Sequence, residues 1–93
     1  MKKKGRQLTL TFQLYILRSK VAERFYIGVT ANPEERLRRH NTGRTLSTKS
    51  YRPWEMVYQE EFNTRSEAVV REKQLKRWKN KDRIKQLLNR SSD

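Results

Sequence analysis

The sequence predicts one α+β domain with the element order ββαβαα. Three observations lead to this prediction: two β-rich segments joined by a short polar connection, two helical segments with strong start signals, and an alternating segment between those helices. A chain of 93 residues is long enough for one small hydrophobic core. We expect a basic disordered tail over residues 1–7 and a single folded domain over residues 8–90.

The first two strands are predicted to form an antiparallel hairpin. The segments LTLTFQLYILRS and RFYIGVT are rich in β-branched and aromatic residues and are separated by KVAE. A turn centred on the first two residues of that connection would place Tyr15 opposite Tyr26 and Ile16 opposite Phe25. Alternation then gives one apolar face and a second, mixed face that carries both tyrosines and Gly28.

The segment NPEERLRRHNTG predicts a short helix over residues 33–41. Asn32 is suited to the N-cap, Pro33 to the first helical position and Glu35 to the third, where it would close a capping box. Gly43 follows the predicted end of the helix. The next segment, GRTLSTKSYRP, is rich in Ser, Thr, Lys and Arg and is predicted to be a loop.

The second half of the chain predicts one strand and two helical segments. WEMVYQEEF alternates as a third strand, with three large side chains on one side: Trp54, Met56 and Tyr58. Thr64 and Glu67 form a capping box that opens a helix over residues 65–79, with Ala68 and Leu75 on its buried side. After a bend near Asn80, DRIKQLLNR is expected to direct its apolar residues inward: Ile84, Leu87 and Leu88. Trp54 and Trp78 are interpreted as core or core-edge residues.

The charge of the chain points to a polyanionic partner. Lys and Arg number 23 against 10 Asp and Glu, which gives a formal net charge of +13. Nucleic acid is the leading partner, because no segment joins a basic face to a broad apolar face of the kind that binds membranes. The absence of cysteine excludes disulfides and thiolate metal sites, and it fits a reducing cytoplasm.

Several residues have an ordinary interpretation when each is considered alone. Glu72 falls within the buried arc of its helix and needs a partner, either a nearby Arg or a metal ion. Arg36 and His40 lie four residues apart on one helix face, as many solvated surface pairs do. Gly28 alone would indicate a bulge, and the two tyrosines alone a cross-strand aromatic pair. Their ordered combination is more specific.

The combined motifs closely resemble the GIY-YIG nuclease family, particularly its small stand-alone bacterial members. The resemblance covers residues 12–88 and is carried by LYIL, FYIGVT, NPEERLRRHN, STKSYRPWEMVY and REKQLKRWK. The second motif tripeptide is intact as Tyr26-Ile27-Gly28, whereas the first departs from the family name as Leu14-Tyr15-Ile16. The resemblance implies a three-stranded antiparallel sheet flanked by helices and metal-dependent cleavage of phosphodiester bonds.

The resemblance also implies the residues of the site. Tyr15 and Tyr26 match the motif tyrosines, Arg36 and His40 match the Arg and His of the first helix, and Glu72 matches the metal-binding acid. Glu72 would hold Mg²⁺ or Mn²⁺, a hard cation that takes few protein carboxylates. Gly28 would keep the strand surface low, so that a phosphate backbone can approach the phenols.

The catalytic roles follow from the same matches. Arg36 would donate two hydrogen bonds to the phosphate. Tyr15 or Tyr26, with a phenol pKa lowered by the metal and Arg36, or else His40, would accept the proton of the attacking water. Many family members also carry a late asparagine near the site, for which Asn80 and Asn89 are the candidates here.

Basic side chains beside the implied site are predicted to contact phosphates: Arg44, Lys49, Arg52, Lys73, Lys76, Arg77 and Lys79. We expect a monomeric, structure-selective endonuclease that prefers DNA to RNA, does not bind membranes, and takes additional specificity from a protein partner. The alternative is a non-catalytic DNA- or RNA-binding module that retains the fold.

Overall fold

The computed structural model describes residues 10–78 and 81–91. Strands β1 and β2 are followed by helix α1, a short 3₁₀ segment, strand β3 and helices α2 and α3. Their bounds are Phe12–Ser19 (β1), Phe25–Thr30 (β2), Pro33–Asn41 (α1), Leu46–Tyr51 (3₁₀), Trp54–Phe62 (β3), Arg65–Lys76 (α2) and Lys81–Ser91 (α3). The order ββαβαα is confirmed, and the predicted loop after α1 contains the 3₁₀ turn. The predicted tail, Lys79 and the bend at Asn80 lie outside the described residues.

The three strands form one antiparallel sheet in the order β2-β1-β3, which confirms the predicted fold class. β1 is the central strand, so both of its edges are paired, and the helices and loops cover both of its faces. Its four consecutive residues Leu14, Tyr15, Ile16 and Leu17 are each at most 1% exposed. On β1, the mixed-face residues Tyr15 and Leu17 are therefore as buried as the apolar-face residues Leu14 and Ile16.

The predicted pairing of Tyr15 with Tyr26 and of Ile16 with Phe25 is wrong by two residues. Tyr15 lies opposite Gly28, and Tyr26 lies opposite Leu17. The turn lies further along the chain because the Ser19 hydroxyl accepts hydrogen bonds from the backbone N–H groups of residues 21 and 22, each at 3.1 Å. A shift of two residues leaves every side chain on its predicted face.

Two clusters of buried residues occupy the two faces of the sheet. The helix-side cluster consists of Leu14, Ile16, Leu75 and Ile84, with Phe25 and Ile27 packed against it. The tyrosine-side cluster consists of Tyr15, Leu17 and Trp54, with Tyr26, Leu37, Tyr51 and Met56 packed against it. The structure confirms that both tyrosines lie opposite the apolar face of the hairpin.

β3 does not alternate throughout, because a bulge interrupts its pairing with β1. Ile16 lies opposite Tyr58 and Leu17 lies opposite Met56, so Val57 is the extra residue. The bulge moves Tyr58 to the helix-side cluster, away from Trp54 and Met56. The prediction that these three side chains share one side is therefore wrong for Tyr58.

The predicted helix starts are observed. The Asn32 side chain accepts a hydrogen bond from the Glu35 N–H at 3.2 Å, but the predicted capping box does not close, because the Asn32 N–H donates to Thr30 Oγ1 at 3.0 Å. Thr64 and Glu67 form both bonds of a capping box. Gly43 adopts a φ of +81°, the left-handed conformation that favours glycine after a helix. α2 ends at Lys76, three residues before its predicted end, and its buried residues are Ala68 and Leu75 as predicted.

α2 is fastened to β3 by a partly buried polar group. The Arg71 guanidinium donates to both oxygens of Glu60, at 2.9 and 3.0 Å, and the Tyr58 hydroxyl donates to the same carboxylate. Although burial opposes it, hydrogen bonds from Arg71 and Tyr58 keep the pKa of Glu60 below its ordinary value. α3 contributes Ile84 to the helix-side cluster, and Leu87 and Leu88 pack against it as predicted. Neither α3 nor the other described helices are long and apolar enough to cross a membrane.

Gly28 is buried beneath the ring of Tyr15. A Cβ atom at residue 28 would lie 2.5 Å from the Tyr15 hydroxyl oxygen and 2.6 Å from its Cζ. The phenol therefore occupies the space above the glycine. This contact corrects the interpretation that Gly28 leaves room for a phosphate, because the room is taken by Tyr15.

We predict that Gly28→Ala destabilises the protein by about 1–3 kcal/mol, the usual range for overpacking a buried site. Tyr15→Leu removes the ring atoms that would meet the new methyl group, so Gly28→Ala should cost much less in that background. Urea unfolding of the wild type, both single variants and the double variant measures this coupling. Equal costs of Gly28→Ala in the two backgrounds would contradict the assigned contact.

Candidate active site

α1 brings Arg36 and His40 to the tyrosine side of the sheet. The two residues are one helical turn apart, and Leu37 of the same helix packs against the tyrosine-side cluster. His40 is 0% exposed, whereas Arg36 keeps part of its surface in solvent. The pair is therefore not the solvated surface pair that spacing alone would indicate.

His40 joins Tyr15 to Thr48 through its two ring nitrogens. Its Nε2 lies 3.3 Å from the Tyr15 hydroxyl oxygen, and its Nδ1 lies 2.8 Å from Thr48 Oγ1. The Thr48 hydroxyl is also 3.2 Å from the Thr45 carbonyl oxygen, to which it donates. The ring of Tyr26 stacks at a tilt against His40, with 4.6 Å between centroids.

The 3₁₀ segment and α1 are tied to β3 by Trp54. Its indole Nε1–H donates to the Thr48 carbonyl at 2.9 Å. Its backbone N–H donates to Asn41 Oδ1 at 2.6 Å, and the Asn41 amide donates back to the Trp54 carbonyl at 3.0 Å. These bonds hold His40 and Thr48 at fixed positions relative to the sheet. The core assignment of Trp54 is confirmed, since it is 4% exposed.

The five predicted catalytic and metal-binding residues meet around the Tyr15 phenol. Burial and the neighbouring Tyr26 phenol raise the pKa of Tyr15 above its ordinary value, and the Glu72 carboxylate adds to the rise. The Arg36 guanidinium opposes this rise through its charge and a hydrogen bond. At Tyr15, burial outweighs Arg36, so Arg36 by itself does not lower the pKa of this phenol.

Glu72 has a lysine partner. Its Oε2 lies 2.9 Å from Nζ of Lys76, one helical turn further along α2. The Glu72 side chain is 20% exposed and that of Lys76 is 53% exposed, so the lysine end of the pair is solvated and the carboxylate is partly exposed. The predicted alternative, an ion pair with a nearby Arg, is right in kind and wrong in its partner, which is Lys76.

Glu72 suits a cation that needs few protein ligands. Across residues 10–78 and 81–91, no group of three His, Cys, Asp or Glu side chains is placed to hold a metal ion. Mg²⁺ commonly uses one or two carboxylates and completes its coordination with water and phosphate oxygens. The partly exposed Glu72 carboxylate fits that requirement, and Lys76 is free to turn towards solvent.

Burial lowers the pKa of His40, and the charges of Arg36 and Arg39 lower it further. A histidine with a lowered pKa is neutral at physiological pH. One ring nitrogen then donates and the other accepts. The neutral ring can therefore connect Tyr15 and Thr48 without burying a charge.

The three candidate bases differ in exposure. His40 and Tyr15 are buried, whereas Tyr26 is partly exposed at the rim of the site. Of the three, Tyr26 is therefore the residue that a water molecule or a phosphate can reach directly.

Asn89, one of the two asparagine candidates, does not join this group. Asn89 lies beside Phe25 and Leu88, near the helix side of the sheet. Asn80 lies outside the described residues.

The predicted phosphate-binding side chains within the described residues are all exposed: Arg44, Lys49, Arg52, Lys73, Lys76 and Arg77. Arg44 precedes the 3₁₀ segment, Lys49 lies within it and Arg52 follows it, and Arg52 Nε donates to the Lys49 carbonyl at 3.0 Å. The last three belong to the C-terminal part of α2 or follow it directly. Lys79, also predicted, lies outside the described residues.

The sequence prediction missed Thr48 and Asn41, which position other residues of the site. Both lie in polar segments without hydrophobic periodicity, so no pattern distinguishes them from solvated residues. Thr48 is nevertheless 2% exposed. The short spacing between Thr48 and Trp54 could have indicated this burial. A large aromatic side chain at the start of a strand tends to pack against the loop that precedes it.

The chain belongs to the GIY-YIG family, since the model of the GIY-YIG catalytic domain matches residues 11–87. This match confirms the family resemblance found in the sequence. Similar proteins include a UPF0213 protein of Staphylococcus haemolyticus, 37% identical over 78 residues, with 83% of this chain and 94% of the relative aligned. A UPF0213 protein of Staphylococcus saprophyticus is 37% identical over 73 residues, which are 77% of this chain and 88% of the relative.

A second kind of relative is much longer. The structure-specific endonuclease subunit slx1 of Pyrenophora tritici-repentis is 41% identical over 58 residues. The aligned region is 57% of this chain but 16% of the fungal protein. The similarity therefore concerns one segment of that protein.

We predict that the free energy of unfolding decreases as pH falls below about 6.5, the ordinary histidine pKa. The unfolded chain takes up a proton there that the folded protein resists at His40, whose pKa is lowered. The stability is fully present above pH 6.5 and is lost, by up to about 1.4 kcal/mol per pH unit, until the folded pKa is reached.

Urea unfolding between pH 7.5 and 5.5 measures this dependence. His40 is the only histidine in the sequence, so the slope in this range can be assigned to it. A His40→Gln variant should show a flatter profile. An unchanged slope in that variant would show that another group is responsible.

Proposed function

We propose that this protein is a divalent-metal-dependent endonuclease that hydrolyses phosphodiester bonds in DNA. The observation that carries the proposal is the convergence of Tyr26, Arg36, His40 and Glu72 around the Tyr15 phenol. A protein that only binds nucleic acid needs cationic side chains, but it has no use for a carboxylate beside them. Membership of the GIY-YIG catalytic-domain family supports the same conclusion.

Arg36 is proposed to bind the phosphate that is cleaved. Its guanidinium is partly exposed and offers paired donors whose geometry matches two phosphate oxygens. It would neutralise charge that develops on those oxygens in the transition state. Its interaction with the Tyr15 phenol restricts its orientation.

Glu72 is proposed to hold Mg²⁺ or Mn²⁺. The bound cation would supply Lewis-acid stabilisation of the phosphate and of the departing oxygen. Lys76, released from its contact with Glu72, would then be available to a neighbouring phosphate.

Tyr26 is proposed to accept the proton of the attacking water. It is the most exposed of the three candidate bases, and its ring is held against His40. Tyr15 and His40 form the buried support behind it, with their polar atoms bonded to each other. Their role is to fix the positions of Tyr26 and Arg36.

The natural substrate is proposed to be DNA of a particular structure rather than a particular sequence. The relatives named structure-specific endonuclease subunits favour this proposal, and the word subunit favours a protein partner that contributes specificity. The chain itself is proposed to act as a monomer in the cytoplasm.

Cleavage assays test the proposal. Branched, duplex and single-stranded DNA and matched RNA substrates would be incubated with the protein and Mg²⁺, Mn²⁺ or EDTA. We expect metal-dependent cleavage that is strongest on branched DNA. Binding without cleavage of any substrate would instead favour the alternative, a non-catalytic binding module for DNA or RNA.

We predict that Glu72→Gln abolishes metal-dependent cleavage and leaves DNA affinity unchanged or slightly higher, because a negative charge is removed beside phosphate. Stability should change by about 1 kcal/mol or less, because the lysine end of the ion pair is solvated and Gln keeps the shape of the side chain. Thermal unfolding, binding and cleavage would be measured on the same preparation.

Glu61→Gln is the matched control, because Glu61 is an exposed residue of β3 and loses the same charge. It should cleave like the wild type. A stable Glu72→Gln protein that still cuts with Mg²⁺ would refute the assignment of Glu72.

We also predict that DNA affinity falls steeply with salt, because phosphate contacts dominate binding of a chain with a net charge of +13. A plot of log K against log[salt] should have a slope of several units, at about 0.9 per contact. The double variant Arg44→Gln, Lys49→Gln should reduce the slope by about 2.

The control double variant is Lys81→Gln, Lys85→Gln. These lysines contact Glu23, Lys81 through the backbone carbonyl at 2.6 Å and Lys85 through the carboxylate at 2.8 Å. The slope should not change in this control. Salt-independent binding by the wild type would contradict the phosphate-contact interpretation.

A further inference from the structure

Thr48 is a buried polar residue that the proposed reaction does not use. It is 2% exposed, and its backbone is fixed because its carbonyl accepts the indole N–H of Trp54 at 2.9 Å. Its hydroxyl has one proton. The hydroxyl oxygen lies 3.2 Å from the carbonyl oxygen of Thr45, which can only accept, and 2.8 Å from His40 Nδ1, so both contacts are hydrogen bonds together only when Thr48 donates to Thr45.

This arrangement determines the tautomer of His40. With its proton donated to Thr45, Thr48 Oγ1 acts as an acceptor towards His40 Nδ1, 2.8 Å away. Nδ1 must therefore carry the hydrogen. In a neutral imidazole the other nitrogen, Nε2, is then an acceptor, and the Tyr15 hydroxyl at 3.3 Å donates to it.

The direction of the Tyr15 hydrogen bond affects Arg36. When the phenol donates inward to His40, its oxygen presents only lone pairs to the guanidinium, which has donors and no acceptor. In the opposite tautomer Nε2–H would donate to the phenol oxygen. That bond would occupy a lone pair of the phenol oxygen that could otherwise accept from Arg36.

We propose that Thr48 is a positioning residue, which fixes the Nδ1–H tautomer of His40 so that Tyr15 donates inward and accepts a hydrogen bond from Arg36. The effect on cleavage rests on the proposed nuclease function. The tautomer itself does not, and it can be measured without any substrate.

Nitrogen-15 NMR of the imidazole tests the proposal on the full chain at a pH above 7, where His40 is neutral. The sequence contains one histidine, so its ring signals need no assignment. We expect the Nδ1–H tautomer in the wild type and in Thr48→Ser, which keeps the hydroxyl. Thr48→Val, which keeps the shape and loses the acceptor, should shift the ring towards Nε2–H.

Cleavage kinetics provide the second measurement. Thr48→Val should lower kcat by roughly 10- to 100-fold with little change in KM, as is typical when a residue that orients a catalytic group is lost. Thr48→Ser should restore most of the rate. Tyr15→Phe should keep the Nδ1–H tautomer, because Thr48 still accepts from Nδ1.

The outcomes separate the two proposals. An Nε2–H tautomer in the wild type overturns the role of Thr48, even if Thr48→Val does not fold. An unchanged tautomer in folded Thr48→Val also overturns it. The expected tautomers in a protein that cuts no substrate would support the role of Thr48 in positioning Tyr15 and would refute the nuclease function.

Discussion

The contact of the Tyr15 phenol with Gly28 and His40 is the constraint on which the arrangement of the site depends. The phenol lies over the glycine because no Cβ is present, and its hydroxyl reaches His40 at 3.3 Å. Since Tyr15 is on the central strand and 1% exposed, its ring cannot move without disturbing both neighbouring strands. The ring therefore fixes the position of His40 and of the helix that carries it.

The supporting elements are attached to this centre by polar contacts. Asn41 and Trp54 bind each other through two hydrogen bonds and thereby join the end of α1 to the start of β3. Arg71 and Glu60 join α2 to β3 by a two-bond ion pair, directly before Glu72. Such paired bonds fix orientation as well as distance, which a purely apolar contact does not. A domain of this size can then position catalytic groups with little core.

The sequence was sufficient to predict the elements and the faces of the sheet. Alternation placed Tyr15 and Tyr26 on one face, and capping residues such as Asn32 and Thr64 marked the helix starts. The register was wrong because the turn depends on hydrogen bonds to the Ser19 hydroxyl, which alternation does not report. The bulge at Val57 was missed for a similar reason, since an extra residue in one strand leaves local propensities unchanged.

The site residues were predicted from the order of the motifs that the chain shares with a family. The residues that hold them in position could be identified only from the structure. Gly28 shows the difference: the resemblance implied that it leaves space for a phosphate, whereas the structure places the Tyr15 ring there, and Tyr15 is its direct neighbour only in the observed register. Thr48 is polar and has polar neighbours in the sequence, so the sequence does not predict its burial. The structure shows that burial, with the Trp54 indole bonded to the Thr48 carbonyl.

The electrostatics of the protein follow from the separation of buried and exposed groups. Tyr15, His40 and Thr48 form a connected network that carries no net charge when His40 is neutral, so its burial does not require a counterion. The cationic residues remain hydrated at the surface, where they can exchange water and counterions for phosphate oxygens. Glu72 is partly exposed, between the buried network and the cationic surface. Its ion pair with Lys76 neutralises a carboxylate that would otherwise repel a polyanion. A cation bound to Glu72 would take over that balance and leave Lys76 to a phosphate, so metal binding and nucleic-acid binding are expected to reinforce each other.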